Sequence, residues 1–371
     1  MKIAFIVEGN PQDKRLWSGT VTSMYNALKS EHEVECIDVT LNSKLSHFIS
    51  RVKSKLVKLF TGKKYIQSFT VASAKKKSKI VTNKLKGSDV DYVFCPAKSD
   101  AIAFCKTDRK IIYLTDALFP QMLGYYDYLN NLSASTIKGG NEIERLAVKK
   151  AHKVILASEW AKDFVVKTYG VSEEKAVVIP FASNFEDTKA TPKHLIDKQL
   201  NLLFCGVEWR RKGGDVALKA LEALTTMGYD AKLYLVGCNP PIEISNPNVI
   251  KVGFLNKNDS SQLARLVDIY KNSHFLILPT IAEAAGIVFA EASMNGIVSV
   301  TYDTGGVGSY VINGENGFRL PLGSTGEDFA KAISNLIDDG EKYYSMSVRA
   351  RELYEERYNI SAWLNSFNSL I

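Results

Sequence analysis

The stretch "HFLILPTIAEAAGIVFAEASMNGIVSVTY", His274 to Tyr302, decides how the rest of the chain is read. "HFLILP" is a short unbroken apolar run, the pattern of a strand buried on both faces. "IVFAEASMNG" spaces its apolar residues as a helix does, and "IVSVTY" is β-branched again. A strand, a helix and a second strand in so short a span make a βαβ unit, and hence a parallel sheet.

The same alternation extends in both directions. Before it come "KIAFIV", "EVECIDV", "DYVFC", "KIIYLT", "KVILAS" and "KAVVIP", then "NLLFCG", "AKLYLVG" and "NVIKVGF". The polar stretch "FASNFEDTKATPKHLIDKQL", Phe181 to Leu200, lacks strand periodicity and separates two series. The expected fold is α/β: two Rossmann-like doubly wound parallel-sheet domains facing a cleft, which suits a chain of 371 residues. Residues 1–185 form the first domain, 186–200 the linker and 201–357 the second domain. The tail "SVRARELYEERYNISAWLNSFNSLI" is helical by pattern with a break near Asn359, and its last helix, about 358–371, is expected to pack back on the first domain.

Composition narrows the class. With 46% apolar and 23% charged residues the chain is globular and not disordered. "MKIAFIVEGN" reads as a first strand, not a signal peptide, because Glu8 interrupts its apolar run. No run approaches the roughly 18 apolar residues that cross a membrane. Cys36, Cys95, Cys105, Cys205 and Cys238 are odd in number and scattered, which fits reduced core thiols in a cytoplasmic protein.

The net charge of +7 is local. Twelve Lys and Arg and no Asp or Glu lie between Arg51 and Lys86. Around its start Phe48, Ile49, Val52, Leu56 and Leu59 stand at helical spacing among the cations. A basic amphipathic helix meets an anionic membrane surface, so segment 45–86 is expected to hold the protein peripherally on the inner face of the cytoplasmic membrane. The competing reading is a core helix with a solvated basic face. Nucleic acid is set aside as a partner, because few aromatics are placed to stack on bases and no binding motif is present.

Function is sought in the strand-to-helix loops, where doubly wound sheets hold ligands. In the opening stretch "IAEAAG" joins strand to helix. The amides around Gly286, Ile287 and Val288 are then the free donors of a helix N-terminus, suited to a phosphate, and Gly286 lets a ligand approach the main chain. Glu283 precedes the helix and Glu291 lies more than a turn inside it. As ionised carboxylates they accept hydrogen bonds, here from hydroxyls at opposite ends of one elongated ligand. Alternatively, Glu283 complements the helix dipole and Glu291 is a solvated surface residue.

In "LLFCGVEWRRKGGDVALKALEAL" a strand ends at Cys205 and Gly206 opens a turn. Arg210, Arg211 and Lys212 then lie on a loop where cations can neutralise a diphosphate, or form a solvated basic turn. The helix that follows has apolar positions at Val216, Leu218, Leu221 and Leu224. In "TYDTGGVGSYVINGENGFRLP", Gly305, Gly306 and Gly308 offer a third set of amides, or a tight connection.

The arrangement Glu283-x7-Glu291, preceded by "RRKGGDVALKA" and followed by "GGVGSYVINGENGF", closely resembles the retaining glycosyltransferases of family 4, which have the two-domain GT-B fold. "HKVILASEWAKDFVVKTYGVSEEKAVVIPFASN" resembles that family's segment before the interdomain linker. The resemblance implies a first domain that binds the acceptor and a second that binds a nucleotide-sugar donor, a UDP-sugar, as substrate and with no cofactor. Glu291 would hold the ribose hydroxyls and Glu283 those of the transferred sugar. Arg211 and Lys212 would neutralise the diphosphate leaving group, helped by amides near Gly286. Where the family carries an Arg after the glycine of the first loop this chain has Val207, and Arg210 or Arg211 takes over the charge.

The first domain matches more loosely. A Gly-Gly pair of the family is replaced by Ser18 and Gly19, a loop that opens a helix, and a histidine facing the donor sugar is replaced by Asp116 in "KIIYLTDALFP". Asp116 either caps the next helix or accepts from a sugar hydroxyl and steadies positive charge at the anomeric carbon. Displacement at that carbon builds negative charge on the diphosphate, which cations and helix-end amides stabilise electrostatically. No Asp-x-Asp cluster suits a divalent ion, so metal independence is expected. The acceptor is expected to be a cell-surface glycan or glycolipid precursor of polysaccharide biosynthesis. Two other classes compete: a sugar-nucleotide epimerase or hydrolase on the same fold, and a non-catalytic binder of membrane or nucleic acid.

Overall fold

The computed structural model describes residues 1–41, 44–195 and 199–371; the side chains of 44–47 and residues 196–198 of the expected linker lie outside the described residues. The chain forms two compact units. One comprises Met1–Leu16, Val21–Ile179 and Phe367–Ile371, and the other Trp17–Thr20 and Pro180–Ser366.

The first unit holds β1 (Lys2–Val7), β2 (Glu33–Asp38), β3 (Tyr92–Pro96), β4 (Lys110–Thr115), β5 (Lys153–Leu156) and β6 (Ala176–Val178). They form one parallel sheet in the order β2-β1-β3-β4-β5-β6, with Phe5 of β1 opposite Cys36 on one side and Phe94 on the other. The apolar run of β1 is buried from Ile3 to Val7, as a sheet covered on both faces requires. Asn359 is extended and breaks the C-terminal helical run ahead of the helix Ile360–Asn368. At the end of that helix Phe367 packs edge-on against Phe94, 5.2 Å between centroids, and Asn368 bonds His32 and Glu31.

The second unit holds β7 (Gln199–Cys205), β8 (Asp230–Val236), β9 (Val249–Gly253), β10 (Phe275–Leu278), β11 (Val298–Tyr302) and β12 (Gly317–Leu320), again all parallel, in the order β12-β11-β10-β7-β8-β9. β7 and β10 are neighbours, with Leu202 opposite Phe275. From β7 the chain moves out to β8 and β9, and from β10 it moves the other way to β11 and β12. The direction reverses between β7 and β10, which is the switch point where doubly wound sheets bind ligands. The loops that leave these two strands carry Gly206 to Lys212 and Glu283 to Val288.

This unit takes in more of the chain ahead of the linker than the sequence boundary of 185 expects. Phe181 stacks edge-on with Trp17 at 4.9 Å and donates its amide to the Tyr310 hydroxyl at 2.8 Å, and the Ser183 amide bonds the Tyr358 carbonyl. In the helix Gly214–Thr226 the buried stripe is Ala217, Ala220, Leu221 and Leu224, whereas Val216 and Leu218 are only half-buried. Small residues let this helix lie close to its neighbours.

The first unit buries several charges. Lys77 is nearly inaccessible and pairs with Glu8 at 2.9 Å and Asp100 at 2.8 Å, so it is structural and not part of a solvated basic face. Glu144 is buried too, and accepts from the Tyr113 hydroxyl at 2.6 Å, Ser99 Oγ at 3.3 Å and the Phe119 amide at 3.3 Å. Burial outweighs these bonds and Asp100 adds repulsion, so the Glu144 pKa is pushed up to about 7 from 4.5. The folded state therefore holds this proton more tightly than the unfolded chain. Its contribution to stability is complete below about pH 4.5 and is lost as pH rises through about 7. Glu144→Gln cannot ionise, so its stability relative to wild type should improve by about 2 kcal/mol between about pH 5 and about pH 8, read from urea unfolding at the two values. A difference that does not change with pH would show that Glu144 ionises normally.

Candidate functional site

The residues after β7 do not form a loop as expected but a single helical turn, Trp209–Lys212. Trp209 is buried and donates its indole N–H to Asp215 at 2.9 Å, which anchors the turn. Gly213 ends it with φ 78°. A Cβ there would stand 2.1 Å from the Pro279 carbonyl oxygen, so only glycine lets this turn lie against the loop after β10.

Main-chain bonds sew the two loops together. The Ile281 amide donates to the Arg211 carbonyl at 2.9 Å, and the Arg211 guanidinium donates to the Ala282 carbonyl at 2.7 Å. Side chains then converge. Lys212 forms a close ion pair with Glu283, and Arg211 Nη1 stands 3.8 Å from the same carboxylate while its Nε and Nη2 are held by Glu208 at 3.0 and 2.8 Å. Lys212 is 8% exposed, and its stem runs over Gly206, where a Cβ would meet it at 2.7 Å.

Gly286 has φ 107° and begins the helix Ile287–Met294, whose N-terminus no side chain caps. A Cβ on Gly286 would lie 3.4 Å from Glu283 Cγ. Lys212 and the helix N-terminus at Gly286, Ile287 and Val288 thus share the neighbourhood of Glu283. Arg210 is exposed, so of the two arginines it is Arg211 that faces the carboxylate.

Glu291 is not a solvated surface residue: it is 3% exposed. Its Oε1 accepts from Lys257 Nζ at 2.7 Å and its Oε2 from the Tyr270 hydroxyl at 2.9 Å. Lys257 in turn lies 4.9 Å from the Phe185 ring, which meets Tyr270 at 5.5 Å. The half-buried Cys205 adjoins the same place, and desolvation of its thiol with the nearby Glu291 charge pushes its pKa up to about 11, which keeps it neutral. Sequence reasoning missed Lys257, Tyr270 and Phe185, since neither spacing nor motif joins them to Glu291.

The glycine turn after β11 acts differently from the expectation. The Gly306 amide donates to the Glu283 carbonyl at 2.8 Å, so this donor fixes the glutamate loop instead of facing a ligand. A Cβ on Gly308 would stand 2.6 Å from Arg319 Nη1.

Gly19 has φ 98° and follows Trp17 and Ser18, both also in the left-handed region, immediately before the helix Thr20–Glu31. Asn184 holds this strained turn by donating to the Ser18 carbonyl at 2.9 Å. Asp116 belongs to the first unit, just past β4. It does not cap the following helix Phe119–Met122, whose cap position is Leu118 with its amide facing Gln121 Oε1 at 3.4 Å.

Known proteins resemble this chain in sequence and in fold. Residues 186–353 match the family described as Glycosyl transferases group 1. The capsular polysaccharide biosynthesis glycosyltransferase CapM of Staphylococcus aureus is 24% identical over 254 residues, covering 62% of this chain and 65% of CapM. The alpha-D-kanosaminyltransferase of Streptomyces kanamyceticus is 25% identical over 235 residues, 59% of this chain and 60% of that enzyme. The chain thus spans less than two thirds of the length of these curated relatives. Among solved structures, Anabaena Alr3699/HepE in complex with UDP superposes with a TM-score of 0.66 at 16% identity, over 100% of this chain and 99% of the other. The chain has the two-domain α/β architecture of GT-B proteins, and its residues 186–353 match the group 1 glycosyl transferases.

Proposed function

We propose that the second unit binds a nucleoside diphosphate sugar, a UDP-sugar, and that the protein transfers the sugar with retention to a cell-surface glycan or glycolipid precursor, as the family 4 glycosyltransferases do. One observation carries the reading. Lys212 and Arg211 converge on Glu283 beside an uncapped helix N-terminus at the switch point of the sheet, with Glu291 farther along the same helix. Cations and free amides suit a diphosphate, and the two carboxylates suit hydroxyls. The relatives' names, a capsular polysaccharide enzyme and a kanosaminyltransferase, support the reaction class, and the UDP complex of a structural neighbour supports the donor.

In this mechanism the bond from the anomeric carbon to the diphosphate oxygen breaks and the electron pair leaves with the diphosphate. The acceptor hydroxyl forms the new bond and passes its proton to the departing diphosphate oxygen, which has just taken up the electron pair. Lys212, whose ammonium carries three donors, stabilises the leaving charge with Arg211, and the amides of Ile287 and Val288 add to it. Glu283 holds Lys212 in place and receives sugar hydroxyls, while Glu291 receives those of the ribose. Side-chain cations supply the positive charge in this scheme, which runs without a metal ion.

The test follows UDP released from UDP-sugars, with GDP- and TDP-sugars as controls, in the presence and absence of glycan acceptors. Lys212→Met should slow transfer by about 100-fold or more while the protein stays folded. Glu291→Gln should weaken the binding of uridine nucleotides about tenfold, read as a smaller rise in melting temperature with UDP, and should change the rate at saturating donor less. The proposal fails if no sugar nucleotide raises the melting temperature or is consumed, or if Lys212→Met is as active as wild type. Donor consumed equally fast without any acceptor would identify a hydrolase or epimerase instead.

A further inference from the structure

The helix Lys44–Thr61 of the first unit presents its apolar side outward. Phe48, Ile49, Val52, Leu56, Leu59 and Phe60 are between 41% and 79% exposed. At 100° per residue these six fall within an arc of about 120°. Ser50, Ser54 and Val57 are half-buried and lie on the opposite side, and Ser54 Oγ donates to the Tyr65 carbonyl at 3.4 Å. An amphipathic helix that served the core would have the reverse orientation. The core-helix reading of this segment is therefore overturned.

Cations border the stripe. Arg51, Lys55 and Lys58 lie along one edge and Lys53 along the other, all exposed, with Lys63 and Lys64 exposed just beyond the helix. Among the described residues none of these six forms an ion pair with a carboxylate. Lys53 instead lies 4.7 Å from the Tyr65 ring. Among the described residues no helix is long and apolar enough to cross a membrane.

We infer that this helix is a docking surface for an anionic lipid bilayer, lying in the plane of the interface with Phe48, Ile49, Val52, Leu56, Leu59 and Phe60 in the acyl boundary and the flanking cations at lipid phosphates. Two demands select this occupant. The apolar arc needs a partner that removes it from water, and cations that no carboxylate neutralises need one that brings negative charge to the edges of that arc. A second copy of the chain meets the first demand but sets cations against cations. A nucleic acid meets the second and leaves the aliphatic side chains in water. An anionic bilayer meets both. The inference stands apart from the sugar-nucleotide reading, because it uses no residue of the second unit.

The experiment is flotation of the full chain with vesicles of phosphatidylcholine alone or of phosphatidylcholine and phosphatidylglycerol in equal parts. The wild-type protein should float with the anionic vesicles, stay behind with the neutral ones, and be released as salt is raised. Leu59→Asp with Phe60→Asp should lower partitioning at least about tenfold with no change in melting temperature, since both side chains are already exposed. Lys55→Glu with Lys58→Glu should lower it as well and flatten the salt dependence. The inference is overturned if the wild type ignores anionic vesicles, or if both double variants float as it does. It is also overturned if light scattering shows a dimer that Leu59→Asp with Phe60→Asp dissolves while vesicle binding is absent.

Discussion

The ion pair between Lys212 and Glu283 holds the second unit's site together. It joins the loop after β7 to the loop after β10, which the parallel order of the sheet makes neighbours. The pair is partly buried, so its charges are well placed more than they are stabilising, because desolvation cancels much of their attraction. What makes it possible is the absence of side chains at Gly206 and Gly213. The first lets the lysine stem pass, and the second lets the helical turn meet Pro279. Arg211 repeats the pattern at longer range, holding the Ala282 carbonyl while its other nitrogens rest on Glu208.

Around that pair the fold supplies rigidity from several sides. The Gly306 amide clamps the main chain of Glu283, and Thr304 donates to the Ile281 carbonyl at 3.2 Å. At the far end of the helix Ile287–Met294, Asn295 donates to the Glu291 carbonyl at 2.9 Å and Thr188 of the linker bonds Asn295. Arg351 grips Asp187 through two bonds of 2.7 Å and also the Met294 carbonyl. The described part of the linker is thus tied to the helix that carries Glu291. On the proposed reading, in which these carboxylates receive hydroxyls at fixed positions, such support matters, since a loosely held carboxylate would lose orientation on binding.

Eleven of the twelve strands were legible, because parallel sheets covered on both faces need apolar or β-branched runs; β12, "GFRL" from Gly317 to Leu320, has neither and reads only as the end of a glycine-rich loop. The glycines at 206 and 286 were legible for a similar local reason. The burial of Glu291 was not, because its partners Lys257 and Tyr270 lie 34 and 21 residues away and approach only when the sheet forms. Asp116 reads as a cap by residue type, yet the chain turns two residues later, at Leu118. The helix Lys44–Thr61 shows the same limit in another form. Its periodicity predicts an apolar stripe, but which way the stripe faces is decided by what packs beside Ser50, Ser54 and Val57.

A consequence for ligand selection follows from how the second unit matches its charges. Lys212 is matched by Glu283, Arg211 by Glu208 and Lys257 by Glu291. A simple anion entering such a site would gain cations but leave the carboxylates facing added negative charge, and the two effects oppose each other. A ligand made only of hydroxyls would satisfy the carboxylates and leave the cations unused. A molecule that carries a diphosphate between two sugars brings negative charge to Lys212 and Arg211 and donors to Glu283 and Glu291 at once. On the proposed reading, the paired state of these residues is therefore a filter: it disfavours the separate parts of a sugar nucleotide and admits the whole.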